Sequence, residues 1–209
     1  KQPAAWVAEM LAAGHTSFYK VNEQGIKEYY DIESKSYQPI RGVENFIILD
    51  NLRTTGKVLW KNAGASVIDL GDGILNVEFH SKMNSLGQDV ILGLLKGVEM
   101  AETGYRGLVV GNDGPNFSAG ANLGLVYMQA LEQEFDELNL MIQQFQQAMM
   151  RMRYSSIPVV GTPHGLTLGG GCELNLHCDK VVAAAESYIG LVEFGVGLIP
   201  GGGGTKEMT

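Results

Sequence analysis

Residues 157–185 read IPVVGTPHGLTLGGGCELNLHCDKVVAAA, and this stretch decides the fold class. Its two ends, IPVVGT and KVVAAA, are short apolar runs typical of buried strands, whereas GGCELNLHC between them is typical of a helix. The same alternation occurs upstream, where SLGQDVILGLLKGVEMAE predicts an amphipathic helix and RGLVVGN predicts a buried strand. Alternating helices and strands indicate an α/β domain with largely parallel strands.

The neighbouring segments extend this prediction. Residues 66–80, SVIDLGDGILNVEFH, are two strand-like runs joined at Gly-Asp-Gly, which is a strong hairpin signal. A long helical region is predicted from about Leu123 to Arg153. Nearer the N-terminus, residues 4–13 predict a helix that stops at Gly14, and the aromatic residues on either side of Gly25 predict a second hairpin.

The composition excludes several classes of protein. The chain has 209 residues, 45% of them hydrophobic, which is enough for one substantial core and a small appendage. Its net charge of -8 argues against general binding to nucleic acid, because phosphate contacts need a concentrated basic surface. No stretch approaches the roughly 20 apolar residues that a membrane span requires.

The cysteines and the N-terminus bear on where the protein works. Cys172 and Cys178 have neither metal-ligand spacing nor a second pair, so we expect reduced thiols in a cytoplasmic protein. The first residues, KQPAAWVAEM, contain no initiator Met and no signal-type apolar run. We therefore interpret them as the cut end of a larger protein.

Two carboxylates stand in unusual surroundings. Glu173 follows three glycines directly, and Glu193 lies between two apolar runs. Such acids either pair with cations elsewhere in the fold or take part in acid/base chemistry. For Glu173 the alternative is stabilisation of the first turn of a helix, and for Glu193 it is a buried salt bridge.

The glycine-rich segments do not match the common phosphate-binding patterns. A P-loop needs Gly directly before its Lys, but Lys206 follows Thr205, and Pro200 stands where a dinucleotide fingerprint needs its third glycine. The turns LGGGCEL and NFSAGANL can instead present backbone N–H groups at helix starts, where each could donate to a developing oxyanion. The alternative is that both are tight turns required only by packing.

Several spaced motifs resemble the crotonase superfamily of enoyl-CoA hydratases and isomerases. FSAGANL resembles its first oxyanion-hole motif, and residues 157–179 followed by YIGLVEFGVGLIPGGGGT resemble its central signature. The resemblance implies a spiral of β-β-α units over residues 66–209, with a small N-terminal helix and hairpin as an appendage. Residues 1–41 resemble the end of a 3-hydroxyacyl-CoA dehydrogenase, and residues 42–65, which lack a clear period, are expected to be a linker or an extended arm.

The family's site residues transfer to four positions of this chain. Its oxyanion donors correspond to the backbone N–H groups of Ala119 and Gly170, and its catalytic glutamates correspond to Glu173 and Glu193. The loop HSKMNSL matches the segment that holds coenzyme A in the family. This match makes three residues candidate contacts for the coenzyme: His80, Lys82 and Met83.

The resemblance also carries expectations about activity, cofactors and partners. It implies hydration of a 2-enoyl-CoA in fatty-acid β-oxidation, with the CoA thioester as substrate, no cofactor and no metal in this domain, and NAD for a dehydrogenase part of the parent protein. We expect the intact protein to be a homo-oligomer. Two departures are Asn122, where the family commonly has Asp, and the end of the chain at Thr209, where relatives continue. Asn can cap a helix as Asp does.

The predicted chemistry divides the work between the two glutamates. Glu173 is expected to accept a proton from water, because a nearby helix N-terminus favours its anion. Glu193 is expected to start protonated, because its neighbours Val192 and Phe194 would desolvate it. It then donates a proton to the α carbon of the substrate. Two alternatives stay open: an isomerase that shifts the double bond with one carboxylate, and an inactive module that binds acyl-CoA.

Overall fold

The computed structural model of the chain describes residues 3–43 and 45–209. The chain divides into two units, Lys1–Lys57 and Val58–Thr209. In the described part of the chain, no helix is both long and apolar enough to cross a membrane.

The first unit is a small antiparallel sheet with two helices. Its elements are helix α1 (Ala5–Ala12), strands β1 (Tyr19–Val21), β2 (Lys27–Asp31) and β3 (Ser36–Pro39), and helix α2 (Leu49–Thr54). Strand β2 pairs with both β1 and β3, and the rings of His15, Tyr30 and Tyr37 pack with centroids 5.2 to 5.7 Å apart. The predicted helix before Gly14 and the predicted hairpin around Gly25 are confirmed.

The second unit is a mixed α/β domain. Its strands are β4 (Val58–Lys61), β5 (Ala65–Gly71), β6 (Ile74–Phe79), β7 (Gly107–Val110), β8 (Val159–Gly161), β9 (Leu166–Leu168), β10 (Lys180–Val181) and β11 (Tyr188–Gly190). Its helices are α3 (Gln88–Gly104), α4 (Leu123–Leu131), α5 (Phe135–Arg153), α6 (Gly170–Leu176) and α7 (Gly204–Glu207), with 3-10 turns at Lys82–Asn84 and Glu193–Val196.

The main sheet has the strand order β10-β8-β7-β6-β5-β4. Strands β6, β7, β8 and β10 run parallel, as predicted, whereas β5 is antiparallel to both β6 and β4. The antiparallel pair follows from the tight Gly-Asp-Gly turn, because only antiparallel strands can be joined by so short a connection. A second, two-stranded parallel sheet pairs β9 with β11 and adjoins the candidate site.

Helix α3 packs on the main sheet, and α5 packs against α3 and contributes to the same core. Gly93 and Gly97 let α3 lie close to the strands, since a Cβ on these glycines would lie 2.4 Å from the Cβ of Ala65 and 2.2 Å from Cγ2 of Val77. From α5, Met149 and Met152 are buried in the same cluster.

Three predicted segments differ in the structure. The helical region from Leu123 to Arg153 is two helices, because Gln133 has a left-handed backbone (φ 62°) that no α-helix continues through. The strand predicted at KVVAAA is limited to β10. Residues 42–65 contain α2 in the first unit and β4 in the second, where Trp60 pairs with Val67 and packs against the core.

Candidate active site

Two glycine-containing turns lie side by side at the start of the candidate site. The Ser118 N–H donates to the Leu166 carbonyl (3.1 Å), and the Leu168 N–H donates to the Ser118 carbonyl (3.0 Å). A Cβ on Gly120 would lie 2.8 Å from the Leu168 carbonyl oxygen and 3.5 Å from the Gly170 nitrogen. The backbones of the two turns therefore touch.

The two predicted oxyanion donors differ in their present partners. The Ala119 N–H donates to the carbonyl oxygen of Met83 at 3.2 Å, so this amide is satisfied within the protein. Gly170 is the first residue of α6, and within the described ranges we find no acceptor for its N–H. In this conformation the Ala119 amide is occupied because the 82–84 turn reaches it, and the pair of oxyanion donors stays a prediction.

The segment that carries the candidate coenzyme contacts is fixed to the same turn. Asn84 donates from Nδ2 to Oδ1 of Asn112 (2.9 Å) and to the Asn116 carbonyl (3.0 Å), and its own carbonyl accepts from Oγ of Ser118 (2.7 Å). Met83 and Asn84 both have left-handed backbones, with φ of 56° and 50°. These contacts place the Met83 carbonyl over the Ala119 amide.

The three candidate coenzyme contacts are near the surface. Lys82 is exposed, and 63% of Met83 is accessible to solvent. His80 is exposed as well, and its Nε2 lies 2.9 Å from Oγ of Ser66. His80 therefore already has a hydrogen-bonding partner, and the assignment of these three residues to the coenzyme stays a prediction.

Glu173 is held by a segment far along the chain. It lies in the first turn of α6 and is only 2% exposed. Its Oε1 accepts hydrogen bonds from the N–H groups of Gly202 (2.8 Å) and Gly204 (3.0 Å). Glycine is required there, since a Cβ on Gly202 would lie 2.6 Å from Oε2 of Glu173 and 2.3 Å from Cε1 of Phe145. The other carboxylate oxygen, Oε2, is left for a ligand or for water.

The electrostatic surroundings of Glu173 differ from the expected ones. Burial raises the pKa of its carboxyl group above the ordinary value, the N–H groups of Gly204 and Gly202 oppose that rise, and the charge of Glu193 adds to it. The sequence analysis expects the start of α6 to favour the anion. The stabilising N–H groups come instead from residues 202 and 204, and burial outweighs them.

Glu193 occupies a different environment. It begins a 3-10 turn, and its Oε2 is buried without a hydrogen-bond partner in the described part of the chain. A Cβ on Gly169 would lie 3.1 Å from its Oε1, so the carboxylate abuts the start of α6. Phe194, expected to desolvate Glu193, is 76% exposed and points into solvent, so that part of the expectation is wrong.

The thiol of Cys172, the residue before Glu173, has a shifted pKa. Burial raises the pKa of its thiol to about 11, and the charges of both Glu193 and Glu173 contribute to that rise.

His177 lies one helical turn beyond Glu173. It is 1% exposed, with Nδ1 2.7 Å from the main-chain oxygen of Glu173 and Nε2 3.8 Å from Oε1 of Glu207. Arg153, the last residue of α5, pairs with Glu207 at 3.4 Å. Among the residues that the structure describes, no group of three or more His, Cys, Asp or Glu side chains is placed to hold a metal ion.

Sequence reasoning identifies the acids and turns but not their supports. No local pattern assigns a role to Gly202, Gly204 or Glu207. The available signal was the run of four glycines itself, which permits close backbone approach to another segment. The predicted cap is present, since Oδ1 of Asn122 accepts from the Leu125 N–H at the start of α4.

Comparison with known proteins identifies the family to which the chain is similar. The model of a family described as enoyl-CoA hydratase/isomerase matches residues 69–209. A probable 3-hydroxyacyl-CoA dehydrogenase of Bacillus subtilis (strain 168) is 47% identical over 97% of this chain, which spans 25% of that relative. A probable enoyl-CoA hydratase of the same organism is 30% identical over 70% of this chain and 56% of its own length.

The solved structures give the same fold. The crystal structure of an enoyl-CoA hydratase from Polaromonas sp. JS666 superposes with a TM-score of 0.66 at 25% identity, covering 69% of this chain and 57% of the other. An enoyl-CoA hydratase from Bacillus anthracis gives a TM-score of 0.62 at 26% identity, over 69% of this chain and 57% of the other. The predicted fold class is confirmed.

Proposed function

We propose the following function for this chain, which belongs to the enoyl-CoA hydratase/isomerase family: it adds water across the double bond of a 2-enoyl-CoA thioester. The observation that carries the proposal is that the Glu193 carboxylate abuts Gly169 at the start of α6, the helix whose first turn holds Glu173. Hydration needs both a group that takes a proton and a group that gives one.

The proposed reaction proceeds with these residues in defined roles. Glu173 accepts a proton from water through Oε2, while the water oxygen bonds to the β carbon. The electrons of the double bond move toward the thioester oxygen, and Glu193 delivers a proton to the α carbon. One water molecule is added, and Glu173 returns its proton to solvent while Glu193 takes one up.

The surroundings of Glu173 suit a base. A carboxyl whose pKa lies above its ordinary range holds a proton more strongly than a solvated one, so it is better able to take a proton from water. The N–H groups of Gly202 and Gly204 keep Oε1 occupied and direct Oε2 toward the reactants. The buried, unpaired Oε2 of Glu193 supports its role as the proton donor.

Charge on the thioester oxygen needs donors that are fixed before the reaction. The Gly170 N–H serves as one donor, and the Ala119 N–H serves as the second after it exchanges the Met83 carbonyl for the ligand. Removing one such donor typically costs about 2.7–4 kcal/mol of transition-state stabilisation. The 82–84 turn therefore shifts when the substrate binds, which frees the Ala119 N–H from the Met83 carbonyl.

The same turn carries the proposed coenzyme contacts. In the proposal Lys82 binds a phosphate of coenzyme A beside Met83 and His80, which is supported by the exposure of all three residues. In this proposal the CoA thioester is the substrate, and the domain uses no separate cofactor. The acyl chain then extends toward Glu173.

The relatives' names suggest a wider role. Hydration produces a 3-hydroxyacyl thioester, which is what a 3-hydroxyacyl-CoA dehydrogenase, the name of one relative, oxidises. We propose that the intact protein combines both steps of fatty-acid oxidation, with NAD used by the dehydrogenase part and residues 1–41 as the end of that part. We also propose that it assembles as a homo-oligomer.

The decisive experiment mixes the intact protein that carries this chain with crotonyl-CoA and follows loss of the enoyl-thioester absorbance. A parallel assay offers a 3-enoyl thioester. Loss of absorbance from the 2-enoyl substrate, with formation of the 3-hydroxy product, is the expected result. Conversion of the 3-enoyl substrate alone would favour the isomerase, and binding of acyl-CoA without turnover of either would favour the inactive module.

A further inference from the structure

A second group of charged side chains adjoins Glu173 along α6. Because a carbonyl oxygen only accepts hydrogen bonds, Nδ1 of His177 must carry the proton that it donates to the Glu173 main chain. The other ring nitrogen, Nε2, then faces Oε1 of Glu207 at 3.8 Å, which is beyond hydrogen-bond length but within reach of an ion pair when the ring is protonated. His177 and Glu207 therefore face each other inside the fold.

Glu207 is fixed from two further directions. Arg153, the last residue of α5, places Nη2 3.4 Å from its Oε2, and Nζ of Lys206 contacts its Oε1. The hydrogen bond from Lys206, with the nearby charges of Lys206, Arg153 and His177, lowers the pKa of the Glu207 carboxyl. Glu207 is therefore an anion at neutral pH, held where three helices end.

The position of Glu207 along the chain gives this contact its consequence. Helix α7 begins at Gly204, whose N–H holds Oε1 of Glu173, and ends at Glu207. Contacts at Glu207 therefore restrain the same short segment that orients the carboxylate. A Cβ on Gly203 would lie 3.6 Å from Nε2 of His177, so the segment packs against that ring as well.

We propose that Glu207, held by Arg153 and Lys206 beside the His177 ring, is a positioning residue that fixes residues 202–204 against Glu173. The inference rests on the proposed function. It acts through Glu173 and makes no contact with substrate. When the segment loosens, the two N–H groups leave Oε1, and the carboxylate is free to turn away from the water that it must deprotonate.

The kinetic test uses the intact protein with Glu207→Gln, Glu207→Asp and Glu102→Gln. Glu102 is the matched control, since it also pairs with an arginine of α5, Arg151, but makes no contact with Glu173. Displacing a catalytic group by about 1 Å can cost 100-fold, so we expect kcat of Glu207→Gln to fall by about 10-fold to 100-fold at unchanged KM. Glu207→Asp should recover part of the loss, and Glu102→Gln should match the unmodified protein.

A second measurement does not depend on turnover. Amide hydrogen exchange at Gly202 and Gly204 should be faster in Glu207→Gln than in the unmodified protein and unchanged in Glu102→Gln, because the two N–H groups lose their fixed acceptor. If Glu207→Gln does not fold, Arg153→Gln carries the same test. If the unmodified protein leaves crotonyl-CoA unchanged, the proposed function fails, and the exchange rates still decide whether Glu207 holds the segment.

Three results would overturn the inference. The first is a kcat for Glu207→Gln within about twofold of the unmodified value. The second is an equal loss of kcat in Glu102→Gln, which would indicate general destabilisation. The third is unchanged exchange at both glycine amides in a folded Glu207 variant.

Discussion

Glu173 and Glu193 are held in opposite ways, although each follows a glycine-rich or apolar run. Glu173 is 2% exposed and has two backbone donors on one oxygen. Glu193 starts a 3-10 turn whose next residue, Phe194, is 76% exposed, yet its Oε2 is buried and unpaired in the described part of the chain. The Glu173 carboxylate is fixed by hydrogen bonds, whereas Oε2 of Glu193 has none in the described part of the chain. Two carboxyls in different environments can take the separate roles of proton acceptor and proton donor.

Removing each carboxyl in turn should have the largest effect on this comparison. Glu173→Gln and Glu193→Gln should each lower the hydration rate by about 10²–10⁴-fold, the usual range for a positioned acid or base. The double variant should lose less than the product of the two losses, because both groups act on one transition state. Rates with 2-enoyl and 3-enoyl thioesters, with substrate binding measured separately, check the prediction.

Comparing the two single variants distinguishes a hydratase from an isomerase. A single-carboxylate isomerase would be silenced by one substitution and would keep most of its activity after the other. Hydration of the 2-enoyl substrate by Glu173→Gln at near the original rate would show that the two-acid mechanism is wrong.

A smaller loss is expected when only the anchoring of Glu173 is disturbed. In Gly202→Ala the new Cβ would lie 2.6 Å from Oε2 of Glu173, so the side chain must move. We expect kcat to fall by about 10-fold to 100-fold, the scale of a misplaced catalytic group. Gly201→Ala is the matched control, since its Cβ would meet only Cγ2 of Ile142 at 3.8 Å. Equal kcat values for the two alanine variants would contradict the anchoring role.

The smallest expected effect concerns stability. Because burial raises the folded-state pKa of Glu173, the folded protein binds this proton more tightly than the unfolded chain does. Below the unfolded pKa, about 4.3, both states are protonated and the group is neutral toward folding. As pH rises through the folded pKa, the ionised carboxylate destabilises the fold.

Glu173→Gln should therefore raise the Tm at pH 7, by an amount that shrinks as the pH is lowered toward 4. Arg151 lowers the pKa of Glu102 to about 2, so Glu102→Gln should have the opposite sign and lower the Tm at pH 7. Thermal unfolding followed across this pH range measures both variants. A lower Tm for Glu173→Gln at pH 7 would mean that the hydrogen bonds from residues 202 and 204 outweigh burial.

What could be predicted from the sequence depended on how local the cause was. The hairpin at Gly-Asp-Gly and the Asn122 cap follow from neighbouring residues, and both are present. The hydrogen bonds to Glu173 come from residues 29 and 31 positions away, and no local pattern encodes that distance. The bond between Ala119 and Met83 likewise depends on the backbone of a separate turn.

Neighbours in the sequence do not predict whether a side chain near the site is buried. Phe194 is apolar and adjacent to Glu193, yet it points to solvent, because burial depends on which segments pack over a residue. Glu173, between a cysteine and a leucine, is buried by a segment beyond Pro200. Strand β4 escaped prediction for the same reason, since its pairing with β5 gives it order.

The Cys172 thiol, which lies beside the two acids, has low chemical reactivity. Only the thiolate form of cysteine reacts readily with oxidants and alkylating agents, and the pKa of Cys172 is raised to about 11. At neutral pH nearly all of this thiol is therefore inert, although it adjoins Glu173. We expect iodoacetamide to label Cys172 far more slowly than a free thiol at pH 7, and rapid labelling of the folded protein would contradict this. Burial beside the two acids thus also protects this thiol from oxidation.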